Sequence, residues 1–137
     1  MKEENGNKTV LGGVPKSLPA LIKAHRIQDK ARAVGFDWAD RNDIWQKVTE
    51  EISVVRQEIQ NNDAQMIEKE FGDLLFSVVN AARLFEIEPE SALERTNKKF
   101  IQRFNYSEET AKTSNRNIKE MELDETDDLW EDAKNKS

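Results

Sequence analysis

Two sets of carboxylates, Glu50-Glu51 and Glu70-x-x-Asp73, stand in consecutive amphipathic segments of this 137-residue chain. Glu70 and Asp73 are three positions apart, so on a helix they project as neighbours from one face. Helices that each bring carboxylates to one spot make an all-oxygen site of the kind magnesium prefers, usually shared with substrate phosphates. A column of like charge opposes folding unless something neutralises it. A metal-dependent phosphate enzyme is therefore the leading expectation, with one flaw: Val54 sits where another carboxylate is expected.

Acidic residues on helices usually form a solvated face, and Glu58 and Glu68 read that way. Glu70 and Asp73 differ because they lie beside Phe71, Leu74 and Leu75, in the most apolar stretch of the chain. A partly buried carboxylate there needs a partner, and a cation is the simplest one. Glu51, next to Ile52, is balanced between the two readings. Lys99 and Arg103 stand one turn apart within Asn97-Lys-Lys-Phe-Ile-Gln-Arg-Phe104. A polyphosphate beside a divalent ion needs such counter-charges, Arg as a bidentate partner and Lys as a point charge. Two solvated charges on an acidic protein look the same, so this signal alone is weak. Trp130, on a short amphipathic segment, reads as a core anchor with stacking on a base available to it. His25 is the only histidine, and the chain has no Cys, no P-loop and no G-x-G-x-x-G. Without Cys there is no thiolate chemistry, and His25 reads as a surface residue, not as a zinc or catalytic one.

These residues need elements to position them, and the spacing predicts helices throughout. Residues 1–16, polar with Gly6, Gly12, Gly13 and Pro15, read as a flexible linker or arm, leaving 17–137 as a single domain. A first helix is expected from Leu18 to Val34, with Ser17 as its cap and Gly35 ending it. The loop Phe36–Asp43 leads to a second helix over Ile44–Gln60. There Trp45, Val48, Ile52, Val55 and Ile59 form the expected core stripe, beside Lys47, Glu51, Val54 and Glu58. Asn61-Asn62-Asp63 turns the chain into a third helix over Ala64–Phe85. Its apolar stripe is Ile67, Phe71, Leu74, Val78, Ala81 and Phe85, its polar one Glu70, Asp73, Ser77 and Asn80. Leu75, Phe76, Val79, Ala82 and Leu84 widen the apolar arc around most of the circumference, and a helix like that is buried on several sides. A second subunit supplies the missing cover in this reading. Pro89 opens a fourth helix reaching Thr110, and a break at Thr113–Asn117 precedes a terminal helix over Asp124–Lys134. No segment alternates like a strand, so the fold class is all-α.

Composition agrees. Charged residues are 35% of the chain, the mean hydropathy is −0.83, and there are five Gly and three Pro. That describes a soluble, helix-rich protein. The net charge of −6 argues against a sequence-independent nucleic-acid binder. No signal-peptide stretch or membrane-length apolar run is present, so no membrane and a cytoplasmic location are expected.

The ordered set resembles one family. Lys47-Val-Thr-Glu-Glu-Ile52, Glu70-Phe-Gly-Asp-Leu-Leu-Phe-Ser-Val-Val-Asn80, Asn97-Lys-Lys-Phe-x-x-Arg-Phe104 and Leu129-Trp130 together look like the MazG nucleoside triphosphate pyrophosphohydrolases. Ser17–Leu21 and Val34–Trp38 also match, so the likeness covers residues 15–134. It is nearest to the C-terminal repeat of the two-repeat members, which implies a fragment or a half-length relative. By position, the resemblance makes Glu51, Glu70 and Asp73 ligands of magnesium, or of manganese in its place. It makes Lys47, Lys99, Arg103 and Trp130 contacts to the nucleotide and its phosphates. It implies hydrolysis between the α- and β-phosphates, giving a monophosphate and pyrophosphate. It also implies an all-α homodimer whose subunits complete four-helix bundles. The family's E-E-x-x-E signature departs here at its third carboxylate, where Val54 stands. The rival reading is accordingly a catalytically degenerate nucleotide-binding or dimerisation module.

Overall fold

The computed structural model describes residues 9–37 and 41–136, with the side chains of residues 41 and 42 outside that description. All regular structure among them is helical: α1 Ala20–Ala33, α2 Arg41–Asn61, α3 Ala64–Leu84, α4 Pro89–Thr113, a 3-10 turn Ile118–Glu120, and α5 Leu123–Lys136. The chain divides into two compact units, one up to Glu90 and one from Ser91. No helix among the described residues is long and apolar enough to cross a membrane.

Helix ends follow local chemistry. Gly35, at φ +92°, ends α1: its N–H bonds Arg32 O and that of Phe36 reaches back to Ala31 O. That pair of bonds is a Schellman closure, which wants a residue free to adopt positive φ. The same closure recurs after α3, with Glu86 at φ 59°, and after α4, with Asn115 at φ 58°. Asn62 turns the chain at φ 61°, and Asp63 accepts a hydrogen bond from Met66 N to cap α3. The expectation for Ser17 fails. Pro19 is the cap residue of α1 and no side chain caps it, because the turn Leu18 N–Pro15 O continues the chain up to Pro19. Of the linker, residues 1–8 lie outside the described residues; Thr9–Val14 forms hydrogen-bonded turns. Residues 38–40 of the Phe36–Asp43 loop are likewise outside them, and α2 begins at Arg41, three residues earlier than the periodicity suggested.

In the first unit α3 packs along α2 and also against α1. Its apolar centre is Ile44, Val48 and Ala81, with Leu74 and Leu84 packed on them. This corrects the expected stripes in an informative way. Trp45, Ile52 and Ile59, taken as core, are exposed, and so are Phe71, Val78 and Phe85 on α3. The buried faces instead carry Val48, Glu51 and Val55 on α2, and Glu70, Ser77 and Asn80 on α3. Polar groups face inward between the helices while apolar ones at seven-residue intervals face outward.

The second unit is held by Ala111, Leu129 and Ala133, all buried. Ser107 Oγ is 3.0 Å from Arg103 O and 3.3 Å from Leu129 O, Tyr106 donates to Asp132 at 2.8 Å, and Arg116 pairs with Glu125 at 3.0 Å.

Candidate functional site

The inward polar faces of α2 and α3 meet at a carboxylate group. Glu51, Glu70 and Asp73 each offer an oxygen, and these oxygens all lie within 4.8 Å of one another. Glu51 and Glu70 are buried, while Asp73 stands at the exposed rim. Helical spacing explains the arrangement: Glu51 sits between core residues Val48 and Val55, and Glu70 and Asp73 share one α3 face.

Charged oxygens this close require compensation. Lys47 Nζ is 2.9 Å from Glu51, one turn along α2. Lys69 Nζ reaches both Glu70, at 3.3 Å, and Asp73, at 3.5 Å. The hydrogen bond to Glu51 raises the pKa of Lys47 above that of an ordinary lysine; burial works against it, and the charges of Glu51, Glu50 and Asp73 add to it. Lys69 is raised too, first by its hydrogen bond to Glu70, then by the charges of Glu70 and Asp73. Both ammonium groups stay positive through neutral pH.

The donor set suits a hard divalent cation. Three carboxylates offering one oxygen each are the ligand type such ions take. Glu58, one turn beyond Val54 on α2, is half-buried and outside the group; Val54 is half-buried as well.

Lys99, Arg103 and Trp130 belong to the second unit. Lys99 is exposed and Arg103 half-buried, one turn apart on α4. Trp130 packs against Phe100, ring centroids 5.0 Å apart, and Phe100 stacks on Phe104 at 6.3 Å. The anchoring role expected of Trp130 is thus visible within its own unit. His25, half-buried, is 3.8 Å from Asp29, a turn away on α1.

Sequence reasoning missed two features. Lys69 is the residue just before Glu70, and its i to i+4 spacing to Asp73 is the signal that marks it as a counter-ion. The second is a cavity lined by α1 and α3 residues, with Gln28, Asn80 and Arg83 buried in its wall. Asn80 lies on the expected polar stripe and accepts from Arg83, three residues on; Arg83 in turn reaches Asp37, 46 positions back, and Gln28 reaches Phe76 O across 48 positions, separations that carry no local pattern.

Comparison with known proteins adds a family. Residues 40–107 match the MazG nucleotide pyrophosphohydrolase domain. The chain is 38% identical over 134 residues to the nucleoside triphosphate pyrophosphohydrolase/pyrophosphatase MazG of Thermotoga maritima, covering 96% of this chain and 51% of that protein. It is 34% identical over 135 residues to the nucleoside triphosphate pyrophosphohydrolase of Escherichia coli K12, covering 97% and 51%. It is 46% identical over 134 residues to the uncharacterized protein YabN of Bacillus subtilis, covering 97% and 27%. The chain thus spans about half the length of the first two relatives, at 51% of each.

Proposed function

This chain belongs to the MazG family through its domain at residues 40–107, and on that premise we propose that it hydrolyses nucleoside triphosphates to a monophosphate and pyrophosphate with magnesium as cofactor. The observation that carries the reading is the convergence of Glu51, Glu70 and Asp73 within 4.8 Å, two of them buried. Structural charge networks usually pair each carboxylate with a cation. Here three carboxylates share two lysines, and one of these is only an exposed arm. Magnesium or manganese fits such an oxygen set; zinc, with its taste for nitrogen and sulfur, does not.

In this proposal Glu51, Glu70 and Asp73 hold the ion, which when bound supplies neutralisation of the triphosphate and activation of the attacking water. The chain's own groups do the rest. Lys47, anchored on Glu51, offers its remaining donors to a phosphate oxygen. Lys99 and Arg103 are assigned to the phosphates, where fixed positive charge favours the charge that develops during transfer. Trp130 is assigned to the nucleotide. These assignments rest on the family likeness of the motifs that contain the residues. Lys69 must swing away from Glu70 and Asp73 to admit a divalent ion, and an exposed lysine can do so cheaply.

The exposed apolar faces of α2 and α3 support a homodimer. Trp45 lies 6.1 Å from Phe85, and counting seven forward on α2 and seven back on α3 brings Ile52 level with Val78 and Ile59 level with Phe71. A continuous apolar strip of this kind is the seam of a four-helix bundle lacking its other half. The proposed setting is a cytoplasmic enzyme acting on free nucleotides, with neither nucleic acid nor membrane as partner.

Val54 sets the level of activity. It leaves the third position of the signature without a carboxylate, so weak magnesium affinity and slow turnover are expected; complete loss would make the chain a nucleotide-binding or dimerisation module. The deciding experiment is pyrophosphate release from a panel of nucleoside triphosphates, with and without magnesium, for the chain and for Asp73→Asn. Release should require magnesium. Asp73→Asn should lower it by more than about 100-fold, since residues that merely orient ligands already cost about 10–100-fold. Parental activity in Asp73→Asn with unchanged helical content would reduce the carboxylates to surface charges.

A further inference from the structure

An apolar cavity of about 190 Å³ opens beside α1 and α3, and one of its lining side chains comes from neither helix. Leu11, in the segment before α1, lines it together with Ile27 and Ala31 of α1, Phe36 just after α1, and Phe76 of α3. Close-packed interiors leave few voids larger than a water molecule, and a cavity of ~150 Å³ already admits benzene. Several of its apolar lining residues are open to solvent: Leu11 is 45% exposed, Phe76 40% and Phe36 77%.

The segment that carries Leu11 is tied down. Gly12 N–H donates to Thr9 O at 3.2 Å, Val14 N–H to Leu11 O at 3.1 Å, and Leu18 N–H to Pro15 O at 3.5 Å. Lys23, in the first turn of α1, donates from Nζ to Lys16 O at 2.7 Å. Between Leu11 and that anchor stand Gly12 and Gly13, which turn at little steric cost, and then Pro15, whose φ is fixed. A hinge thus lies next to a fixed point. The remaining walls are already cross-linked by polar bonds. Gln28 Nε2 of α1 donates to Phe76 O of α3 at 3.0 Å, and Arg83 of α3 meets Asp37 at 2.7 Å.

We propose that residues 9–16 are a strap that closes this cavity. Leu11 is seated between Ile27 and Phe76 in one state and released to solvent in the other, turning at Gly12-Gly13 on the Lys16 anchor. An aliphatic side chain gains by leaving water for such a space, and the lining gains contacts when the void is filled. Release is a local opening, of the kind that segments with few buried contacts undergo without global unfolding. The seated strap bridges α1 and α3, and α3 is the helix that also carries Glu70 and Asp73. The strap goes beyond the hydrolase reading and stands without it.

Methyl NMR and amide hydrogen exchange on the full chain test it. In the parent the Leu11 methyls should show contacts to the Phe76 ring, and the Gly12 and Val14 amides should be protected. Leu11→Asp should speed exchange at those two amides about tenfold or more, the scale of losing a partly buried Leu side chain. Amides within α1 and α3 should keep their parental rates. Lys23→Met frees the anchor and should speed the same two amides with Leu11 intact, which keeps the test open if Leu11→Asp fails to fold. Leu11→Ala empties the seat, so it should bind benzene about tenfold more tightly than a parent whose strap is mostly closed. Leu11 methyls without contact to Phe76 would overturn the proposal and make the segment a free linker. Loss of protection that spreads through α1 and α3 would make Leu11 an ordinary core residue. Equal benzene binding by parent and Leu11→Ala would show that the strap does not occupy the cavity.

Discussion

At the scale of single residues, the carboxylate group shows what spacing can and cannot reveal. The burial of Glu70 agrees with the apolar residues beside it, whereas Asp73, expected to be partly buried, is exposed together with Phe71 and Leu75. Burial of Glu51 between Val48 and Val55 was not legible, because a stripe read from one helix cannot tell which of two adjacent stripes a second helix will cover. Lys69 was the larger omission. Its ammonium lies against Glu70 and Asp73 as an internal counter-ion. Lys69→Met should therefore lower the melting temperature in chelator and enlarge the rise produced by added magnesium, since the carboxylates would then depend on the ion alone. Calorimetry with and without magnesium reads both effects; identical curves for parent and variant would remove Lys69 from the site. Val54 belongs to the same scale. An isopropyl group three residues after Glu51 offers nothing to a cation, so Val54→Glu should raise magnesium affinity and pyrophosphate release together by about tenfold or more. Titration calorimetry and the release assay check it. Unchanged activity would mean that another group completes the site, and unfolding would mean that half-buried Val54 belongs to the core.

At the scale of elements, helix boundaries were readable wherever a side chain or glycine supplied the end. Gly35, Asp63 and Pro89 all act where their chemistry puts them. Ser17 did not, because preceding turns carried the chain past it. The stripes were read correctly as periodic and wrongly as to which side is interior. Hydropathy assigns apolar residues to the inside of the molecule, whereas α3 turns Glu70, Ser77 and Asn80 inward and leaves Leu75 60% exposed and Phe71 45% exposed. Under the homodimer proposal, that inversion fits a helix covered on both sides. Leu75→Glu, on the exposed strip, should thus disrupt assembly while leaving far-UV helicity intact. Light scattering should then return a mass near 15.8 kDa for the variant, and a variant that still sized as the parent would acquit this face.

At the scale of the whole molecule, the all-α class followed from the absence of any alternating segment, and the division at Glu90 did not. The domain boundary proposed at residue 17 came from composition, which is blind to where contacts thin out along a continuous run of helices. For the parent chain, light scattering at micromolar concentration should give twice 15.8 kDa. A monomer would dismantle the shared-bundle proposal and leave the apolar strip without an owner.

The left-handed residue after α3 has a bearing on how this protein could change. Glu86 holds φ 59° to close the helix, a conformation that costs a side-chain-bearing residue about 1 kcal/mol and glycine almost nothing. Natural chains sit just above the stability they need, so an unclaimed margin of this size is a reserve for later mutation. Glu86→Gly should raise the melting temperature by about 4 °C, at a position outside the carboxylate group. A lineage holding that reserve could absorb a destabilising carboxylate at position 54, and the order in which the two substitutions were acquired would then decide whether a fuller ligand set was ever within evolutionary reach.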